Sequence, residues 1–187
     1  MPKWLLVVIL LTITLILSAC ACSTTSVTFP DANLETVIRE AIDKLEGPIS
    51  VSDLESLVML EAPGKGISDL TGLEYCLNLQ YLGLWDSNIS DISPLAGLLN
   101  LQGLDLELNN ISDISALAGL TNLEYLSLWD NNISDISALA GLANLEGLYL
   151  NNNNISDISA LVSNVGLAVG DDMNLQNNPL SAKSINS

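Results

Sequence analysis

The sequence predicts an α/β solenoid, a fold in which a unit of short strand, turn and helical return stacks on copies of itself. A twenty-two-residue pattern recurs in tandem, and its five copies begin at Leu57, Leu79, Leu101, Leu123 and Leu145. Within each copy, apolar residues first alternate with other residues, as in one strand, and then recur at steps of three, as in tight helical turns. Equal copies that contain both periodicities are the sequence signature of a solenoid.

One copy of the pattern is too small to fold alone. The most regular copy has its apolar positions at Leu123, Leu126, Leu128, Ile133, Ile136, Leu139 and Leu142. Burying such a side chain contributes at most about 1.5–3 kcal/mol, whereas ordering the backbone costs about 1–2 kcal/mol for every residue of the unit. Stability must therefore come from stacking, and we expect the strands of adjacent copies to form one parallel sheet.

The helical part of the unit carries a family resemblance. It reads Asn-Ile-Ser-Asp-Ile-Ser-Pro-Leu-Ala-Gly-Leu from Asn88, and close copies begin at Asn110, Asn132 and Asn154. This pattern resembles a short bacterial leucine-rich repeat (LRR), and it looks most like that of the internalins. Residues 29–34 are similar to the start of the internalin cap, and residues 178–181 to the closing turn of the last repeat. The resemblance implies an LRR solenoid with a parallel β-sheet on the concave face, short helical or 3-10 turns on the convex face and a helical N-terminal cap.

These observations divide the chain into five segments. We predict a lipoprotein signal peptide (1–19), a flexible tether (20–28), a helical N-terminal cap (29–56), five 22-residue repeats (57–166) and an irregular last repeat with a C-terminal tail (167–187). Regularity ends where Asn164 replaces a repeat leucine. A last, offset copy is then expected from Met173 to Leu180.

The N-terminal segment is typical of an exported lipoprotein. Lys3 precedes an apolar run, residues 4–17, which is too short to span a hydrocarbon core about 30 Å thick. The run ends in Leu-Ser-Ala before Cys20, similar to a bacterial lipobox, and this resemblance implies that Cys20 receives diacylglycerol and becomes the new N-terminus. The alternative is an ordinary signal peptide cleaved near Ala19 or Ala21.

The charge of the chain excludes some partners. Its formal charge is −17, and loss of Lys3 with the signal peptide would give −17 − 1 = −18. The remaining cations are Arg39, Lys44, Lys65 and Lys183. Four scattered cations cannot follow a phosphate backbone, so we expect no nucleic-acid binding. The same charge disfavours direct docking on anionic lipid, so the membrane is expected to be reached through the N-terminal lipid alone.

The two cysteines that follow Cys20 do not indicate a disulfide framework. Cys22 lies in the tether, as an incidental thiol or a second acylation site. Cys76 occupies the repeat slot that Leu98 fills in the next copy, so we predict a small buried hydrophobic side chain there.

The cap is predicted from helical periodicity before the first repeat. Residues 31–45 have apolar side chains at helical spacing, with Asp31 or Asn33 as the N-cap and Gly47 beyond the end. The sequence from Ser52 to Glu55 has capping-box spacing and predicts a further helical turn. Such a cap is needed because the first rung would otherwise expose its leucines to water.

The resemblance to the LRR family also implies an asparagine ladder between rungs. The slot that turns inward in that family is filled by Asn109, Asn131, Asn153 and Asn178. Lys65 and Ser87 occupy the slot in the earlier copies. We therefore expect a weaker ladder toward the cap.

The sequence predicts neither an enzyme, nor a cofactor, nor a metal site. The chain has no histidine, which excludes the usual nucleophile–histidine pairs and histidine metal sites. A column of carboxylates, formed by Asp69, Asp91, Asp113, Asp135 and Asp157, could bind Ca²⁺, but we favour a capping role for each Asp. Asp105 and Glu107 form a carboxylate pair that we expect to face open solvent, without catalytic function.

The strand residues that alternate with the leucines are predicted to point to the concave face. Five of the seven aromatic residues after Cys20 fall in these positions, although core packing would place them in leucine slots. We expect this face to bind a ligand, through Tyr81, Trp85, Asp105, Glu107, Tyr125, Trp129 and Tyr149. Gly103 is expected to leave room between the aromatic pairs.

Two functions remain open at this stage. One is an adhesion-type recognition module, a monomer anchored at the bacterial cell surface, that binds a protein partner as the resemblance to internalins implies. The other is a structural lipoprotein of the envelope whose aromatic side chains stack on glycan or cell-wall polymer.

Overall fold

In the part of the chain that the structure describes, six parallel strands stack in sequence order and form the sheet that the repeats predict. The computed structural model describes residues 26–167 and 172–181. The strands are β3 (Met59–Glu61), β4 (Tyr81–Gly83), β5 (Gly103–Asp105), β6 (Tyr125–Ser127), β7 (Gly147–Tyr149) and β8 (Asp172–Asn174). The register places the same slot side by side in each rung, so that Leu104 pairs with Leu82 on one side and Leu126 on the other.

Short helices return the chain to the next strand on the opposite side of each rung. Four are 3-10 helices, at Leu73–Tyr75, Ser93–Leu95, Ser115–Leu117 and Ser137–Gly141. The fifth repeat instead has a single α-helical turn, Ser159–Val162. The predicted solenoid, with a parallel sheet on one face and short turns on the other, is confirmed.

The core lies between the sheet and the short helices and is almost entirely aliphatic. Leu126, Leu128 and Ile133 have no exposed surface, and equivalent residues of the other regular repeats are buried to the same degree. Cys76 is also fully buried, and burial raises the pKa of its thiol to about 12. Its predicted role as a small core side chain is therefore confirmed.

The N-terminal cap begins earlier than predicted. Ser26–Val27 forms β1, which pairs antiparallel with β2 (Ile49–Ser50), and Val27 is buried. The predicted tether, residues 20–28, is therefore wrong at its C-terminal end. The pairing of β1 with β2 and the burial of Val27 order residues whose small, polar composition is typical of a linker. The signal peptide, Cys20 and Cys22 lie outside the described residues.

The first cap helix, α1, is shorter than the pattern predicts. It spans Ala32–Ala41, and the side chain of Asp31 caps it by accepting bonds from two backbone N–H groups. Asp43 adopts a left-handed conformation, and the N–H of Lys44 donates to the carbonyl of Arg39 in a Schellman arrangement. This closure ends the helix before Leu45, which is 70% exposed instead of lying on the buried face.

The second helical turn, α2, begins two residues before the predicted position. It spans Val51–Leu54 with Ser50 as its N-cap. The carboxylate of Asp53 accepts bonds from the backbone N–H and the hydroxyl of Ser50, and it also pairs with Lys44. The predicted capping box, from Ser52 to Glu55, is therefore wrong, because Asp53 and not Glu55 closes the turn.

The cap covers the first rung through an aromatic ring and a carboxylate. The ring of Phe29 lies so close to Gly72 that a Cβ atom there would be 2.5 Å from it. The second oxygen of Asp31 accepts hydrogen bonds from the backbone N–H groups of Ser68 and Asp69. Asp31 thus caps α1 and joins it to the solenoid.

The asparagine ladder is present as predicted. The oxygen of Asn131 accepts from the N–H of Ile111 at 2.9 Å, and its amide donates to the carbonyls of Leu106 and Leu128. Equivalent bonds are made by Asn109, Asn153 and Asn178. By contrast, the buried hydroxyl of Ser87 has no hydrogen-bond partner. The ladder is therefore weaker next to the cap, as expected.

The C-terminal end of the solenoid is the offset rung that the sequence predicts. Asn164 is buried and donates to the carbonyls of Leu139 and Leu142, so it closes the fifth repeat with polar contacts. Met173 then pairs with Leu148 in the sheet, yet its side chain is 39% exposed. In residues 26–167 and 172–181, no helix has the length and apolar composition needed to cross a membrane.

Candidate functional site

The concave face presents the residues that alternate with the core leucines. Tyr125 and Trp129 keep exposed surface, whereas Leu126 and Leu128 between them have none. The same alternation places Tyr81, Trp85, Asp105, Glu107 and Tyr149 on this face. The predicted orientation of these side chains is confirmed by this burial pattern. Their role in binding stays a prediction.

The tyrosine rings lean onto the sheet instead of standing away from it. A Cβ atom on Gly103 would lie 2.6 Å from the ring of Tyr81, and one on Gly147 would lie 3.1 Å from the ring of Tyr125. Each ring therefore covers the glycine of the following rung. The expectation of open space at Gly103 is wrong, because the neighbouring ring fills it.

The ring of Trp85 is packed in the same manner within its own rung. A Cβ atom on Gly83 would lie 2.7 Å from this ring and 3.2 Å from that of Tyr81. Glycine at this position thus lets the two rings approach the backbone. Tyr81 and Trp85 therefore form an aromatic surface, packed against the backbone, on the N-terminal side of Asp105.

Glu107 is held in place by the fourth rung. Its carboxylate accepts a hydrogen bond from the indole N–H of Trp129 and another from the hydroxyl of Ser127, at 3.0 Å. Ser127 is only 1% exposed, so this bond lies beneath the surface. Glu107 therefore orients the Trp129 ring, a contact between rungs that the sequence pattern did not predict.

Asp105 occupies a row of small side chains in the middle of the face. Its sheet partners are Gly83 and Ser127, and its carboxyl is half-buried. Burial of this carboxyl, and then the charge of Glu107, raise its pKa to about 6. The expectation that both acids face open solvent is wrong, because both are partly buried and Glu107 is bonded by Ser127 and Trp129.

At the C-terminal side of the face the aromatic side chains continue toward the last rung. The rings of Tyr125 and Tyr149 are 5.6 Å apart and tilted by 46°. The hydroxyl of Tyr149 donates to the carboxylate of Asp172 in β8, which raises the pKa of that hydroxyl. The fifth rung is therefore tied to the offset rung through this face.

The carboxylates of the aspartate column bond the backbone at or just before the start of each helical turn. The expected capping role is not exact, because the N-cap positions are the neighbouring residues Gly72, Ile92, Ile114, Ile136 and Ile158. Each carboxylate accepts a 2.8 Å hydrogen bond from the backbone N–H two residues later, as Asp113 does from Ser115. Shallow depressions of about 220, 320 and 250 Å³ lie between successive turns on this side. Within the described ranges, no group of three or more Asp, Glu, Cys or His residues is placed to hold a metal ion. We assign no ligand to these depressions, because these backbone hydrogen bonds account for the carboxylates.

Comparisons with known proteins agree with this architecture. The family model described as "Leucine rich repeat" matches residues 78–133, and the model described as "Leucine Rich repeats (2 copies)" matches residues 121–163. The crystal structure of an internalin (InlF) from Listeria monocytogenes superposes with a TM-score of 0.78 at 38% sequence identity, covering 84% of this chain. The chain has an LRR fold and is similar to the internalins. It spans 46% of the length of InlF.

Two further solved structures share the fold. InlJ of Listeria monocytogenes, at 19% identity, gives a TM-score of 0.62 over 84% of this chain and 40% of its own. An LRR protein of Leptospira interrogans, at 25% identity, gives a TM-score of 0.60 over 75% of this chain and 36% of its own. A search of curated proteins found no match. The LRR fold and the likeness to internalins indicate a protein-interaction module.

One residue of the concave rim was missed by sequence reasoning. Leu108 follows Glu107 directly, is 37% exposed and adopts a left-handed conformation with φ of 55°. The corresponding slot of the neighbouring copies contains Asp86 and Asp130. Comparing this slot across the copies would have shown the exception, because a large apolar residue is unusual at a left-handed turn.

Proposed function

We propose that the protein is a recognition module, anchored at the bacterial cell surface, that binds a protein partner on its concave face. The observation that supports this most strongly is the placement of Tyr81, Trp85, Tyr125 and Trp129 outside the aliphatic core and around Asp105. The leucine core does not need these rings. Tyr and Trp are the side chains most often found at the energetic centre of protein interfaces.

The partner surface is expected to be basic. Asp105 and Glu107 lie at the centre of the face, and the whole chain has a formal charge of −17. In the described part of the chain, both ion pairs lie in the cap, between Arg39 and Glu35 and between Lys44 and Asp53. A lysine or arginine of the partner would supply the missing cation, and the overall charge would speed its approach.

Anchoring is proposed through the lipidated Cys20, with the solenoid outside the cytoplasm as a monomer. The fold has the extended concave surface that solenoid proteins use for partners. We propose no catalytic activity, cofactor or metal. The anchor would hold the domain at the membrane while the acidic surface avoids direct lipid contact.

A glycan ligand is the second candidate. The exposed rings are accompanied by Asp86, Asp130 and Asn151, whose polar groups could bind hydroxyls as aromatic faces stack on sugar rings. This arrangement would suit a structural lipoprotein that contacts cell-wall polymer. A protein partner is favoured because the partly desolvated acidic pair calls for a cation, which neutral sugars lack.

Charge reversal distinguishes the two candidates. Immobilised wild-type protein and the Asp105→Lys variant would be exposed to surface extracts, before and after protease treatment of the extract. We expect protease-sensitive capture that falls with added salt and is lost in the variant. Glu124→Lys, an exposed site outside the alternating concave positions, is the matched control and should retain capture. Protease-resistant capture, with quenching of Trp fluorescence by soluble cell-wall fragments, would instead support the glycan candidate.

A further inference from the structure

The left-handed turn after each strand reveals one residue that the fold itself does not require. All six rungs adopt positive φ at this turn, at Gly64, Asp86, Leu108, Asp130, Asn152 and Asn177, with φ between 55° and 63°. Glycine, asparagine and aspartate are the residues that tolerate this conformation. Leu108 is the exception among the six.

Neither the leucine core nor the hydrogen bonds of this turn require a leucine at position 108. The side chain of Leu108 is 37% exposed and does not belong to the buried core cluster. Its N–H donates to the carbonyl of Trp129, as the N–H of Asp130 does to the carbonyl of Asn151 one rung later. The turn therefore forms in the same way with a polar residue. Leucine adds backbone strain and leaves part of its apolar surface exposed to water.

Strained and exposed residues of this kind cluster at functional sites, where a partner compensates for them. Leu108 lies next to Glu107, in the same rung as Asp105, and no other rung of the described residues has both an acid pair and an apolar turn residue. Its two neighbours along the row of turns, Asp86 and Asp130, are exposed and acidic. Leu108 is thus an apolar side chain between two acidic ones along the row of turns.

We propose that Leu108 contacts the partner, and that Asp105 and Leu108 together select a segment with a lysine or arginine followed by a large apolar side chain. This rests on the proposed function of the concave face. Asp105 and Leu108 are three positions apart, a span of at most about 10 Å. The same span is covered by three residues of an extended peptide. A basic residue and an apolar residue three positions later therefore match the two contacts.

Four blocked tetrapeptides provide the probes for purified protein, with binding followed by Trp fluorescence and by NMR shifts of the indole N–H groups. One has arginine first, two glycines and leucine last. The second replaces leucine by glycine, the third replaces arginine by glutamate, and the fourth has both replacements. We expect the arginine–leucine peptide to bind about threefold or more tightly than the arginine–glycine peptide, because burying part of a leucine side chain favours association.

Two substitutions separate contact from strain. Leu108→Asn should raise Tm by roughly 2–4 °C, because the left-handed turn is no longer strained, and should abolish the preference for the leucine peptide. Leu108→Ala should also lose the preference, but without the same gain in Tm, since alanine is strained there too. A fall in Tm for Leu108→Asn would show that the leucine serves the fold.

Further outcomes separate this inference from the proposed function. Arginine-dependent binding without any leucine preference in wild-type protein, or a preference that survives in Leu108→Asn, would overturn the role of Leu108 and leave the basic-partner proposal standing. Equal binding of the arginine and glutamate peptides, or no binding of any peptide at millimolar concentration, would contradict both.

Discussion

The indole N–H of Trp129 donates a hydrogen bond to the carboxylate of Glu107, one rung away on the concave face. The bond joins an aromatic side chain to an acidic one, so the two candidate contacts for a partner are positioned by each other. Ser127, buried beneath them, donates to the same carboxylate. The centre of the face is therefore ordered before any ligand arrives, which lowers the entropic cost of binding.

The ladder asparagine of the fourth rung should be essential for stability. Asn131→Ala would leave the buried N–H of Ile111 without its acceptor, and the carbonyls of Leu106 and Leu128 would each lose one of their two asparagine donors. An unsatisfied buried group costs about 1–3 kcal/mol, so we expect a loss of about 2 kcal/mol in the free energy of unfolding, measured with urea. The neighbouring, exposed Asn132→Ala is the control and should change it by less than about 0.5 kcal/mol. Equal effects would refute the ladder as a source of stability.

Completing the ladder near the cap should stabilise the protein. The hydroxyl of Ser87 is buried without a partner, whereas the equivalent residue one rung later, Asn109, bonds the N–H of Ile89 and the carbonyl of Leu84 in the preceding rung. Ser87→Asn is expected to raise Tm by a few degrees, because one new buried hydrogen bond contributes about 1 kcal/mol. Differential scanning calorimetry measures this directly. A lower Tm would mean that the first rungs are too irregular to accept the asparagine.

Asp105 should make stability depend on pH in an unusual direction. Its folded-state pKa is about 6, above the ordinary value of 3.8, so between these values the folded state binds more protons than the unfolded state. The contribution of Asp105 to stability is therefore largest at low pH and is lost as pH rises through 6. We expect the fall in unfolding free energy from pH 5 to pH 7 to be smaller in Asp105→Asn than in wild type.

Asp113 provides the contrast for this titration. The backbone N–H of Ser115 donates to its carboxylate and holds its pKa below the ordinary value, so its stabilising contribution is lost only as pH falls below about 4. Asp113→Asn should therefore leave the change between pH 5 and pH 7 as in wild type. If Asp105→Asn and Asp113→Asn changed the pH dependence of the unfolding free energy equally, this dependence would not be due to Asp105.

The proposed lipid anchor at Cys20 can be tested in cells. Cys20→Ala should leave the precursor unprocessed or release the protein from the membrane fraction, because the lipid-bearing thiol is lost. Cys22→Ala, two residues away, should still be processed and sediment with membranes. Metabolic labelling with a fatty-acid analogue and fractionation provide the readouts. A Cys20→Ala protein that is still labelled and processed would contradict lipidation at this residue.

The regular repeats explain why most of the fold could be predicted from the sequence. Each slot occurs in several copies, so the sequence indicates several times which positions are buried. Leu104 and Leu126 accordingly occupy paired positions in adjacent strands. The cap offers no such repetition. The ends of its helices depend on local conformations, such as the left-handed turn at Asp43. Several nearby residues could have adopted such a conformation equally well.

The candidate site was predictable only in part. Period-two alternation shows that Tyr81 points away from the core, but not that its ring leans over Gly103. That direction depends on contacts between residues twenty-two positions apart. The hydrogen bond from Trp129 to Glu107 also joins residues twenty-two positions apart, and it also depends on how adjacent rungs pack. Slot-by-slot comparison predicts which face a side chain occupies, whereas its direction on that face requires the packed neighbours.

The most direct test of the central claim compares wild type with a Trp85→Ala/Trp129→Ala variant. The quantity measured is the affinity for the partner captured from surface extracts. Both rings lie outside the core, so circular dichroism and Tm of the variant should stay close to wild type. Tyr75→Ala removes an exposed aromatic side chain from the short helix Leu73–Tyr75, opposite the sheet, and is the matched control. We predict that the double variant loses affinity by at least about 100-fold, as expected when two hot-spot residues are truncated, while the control binds normally. A folded double variant that binds as wild type does would contradict the concave face as the binding surface.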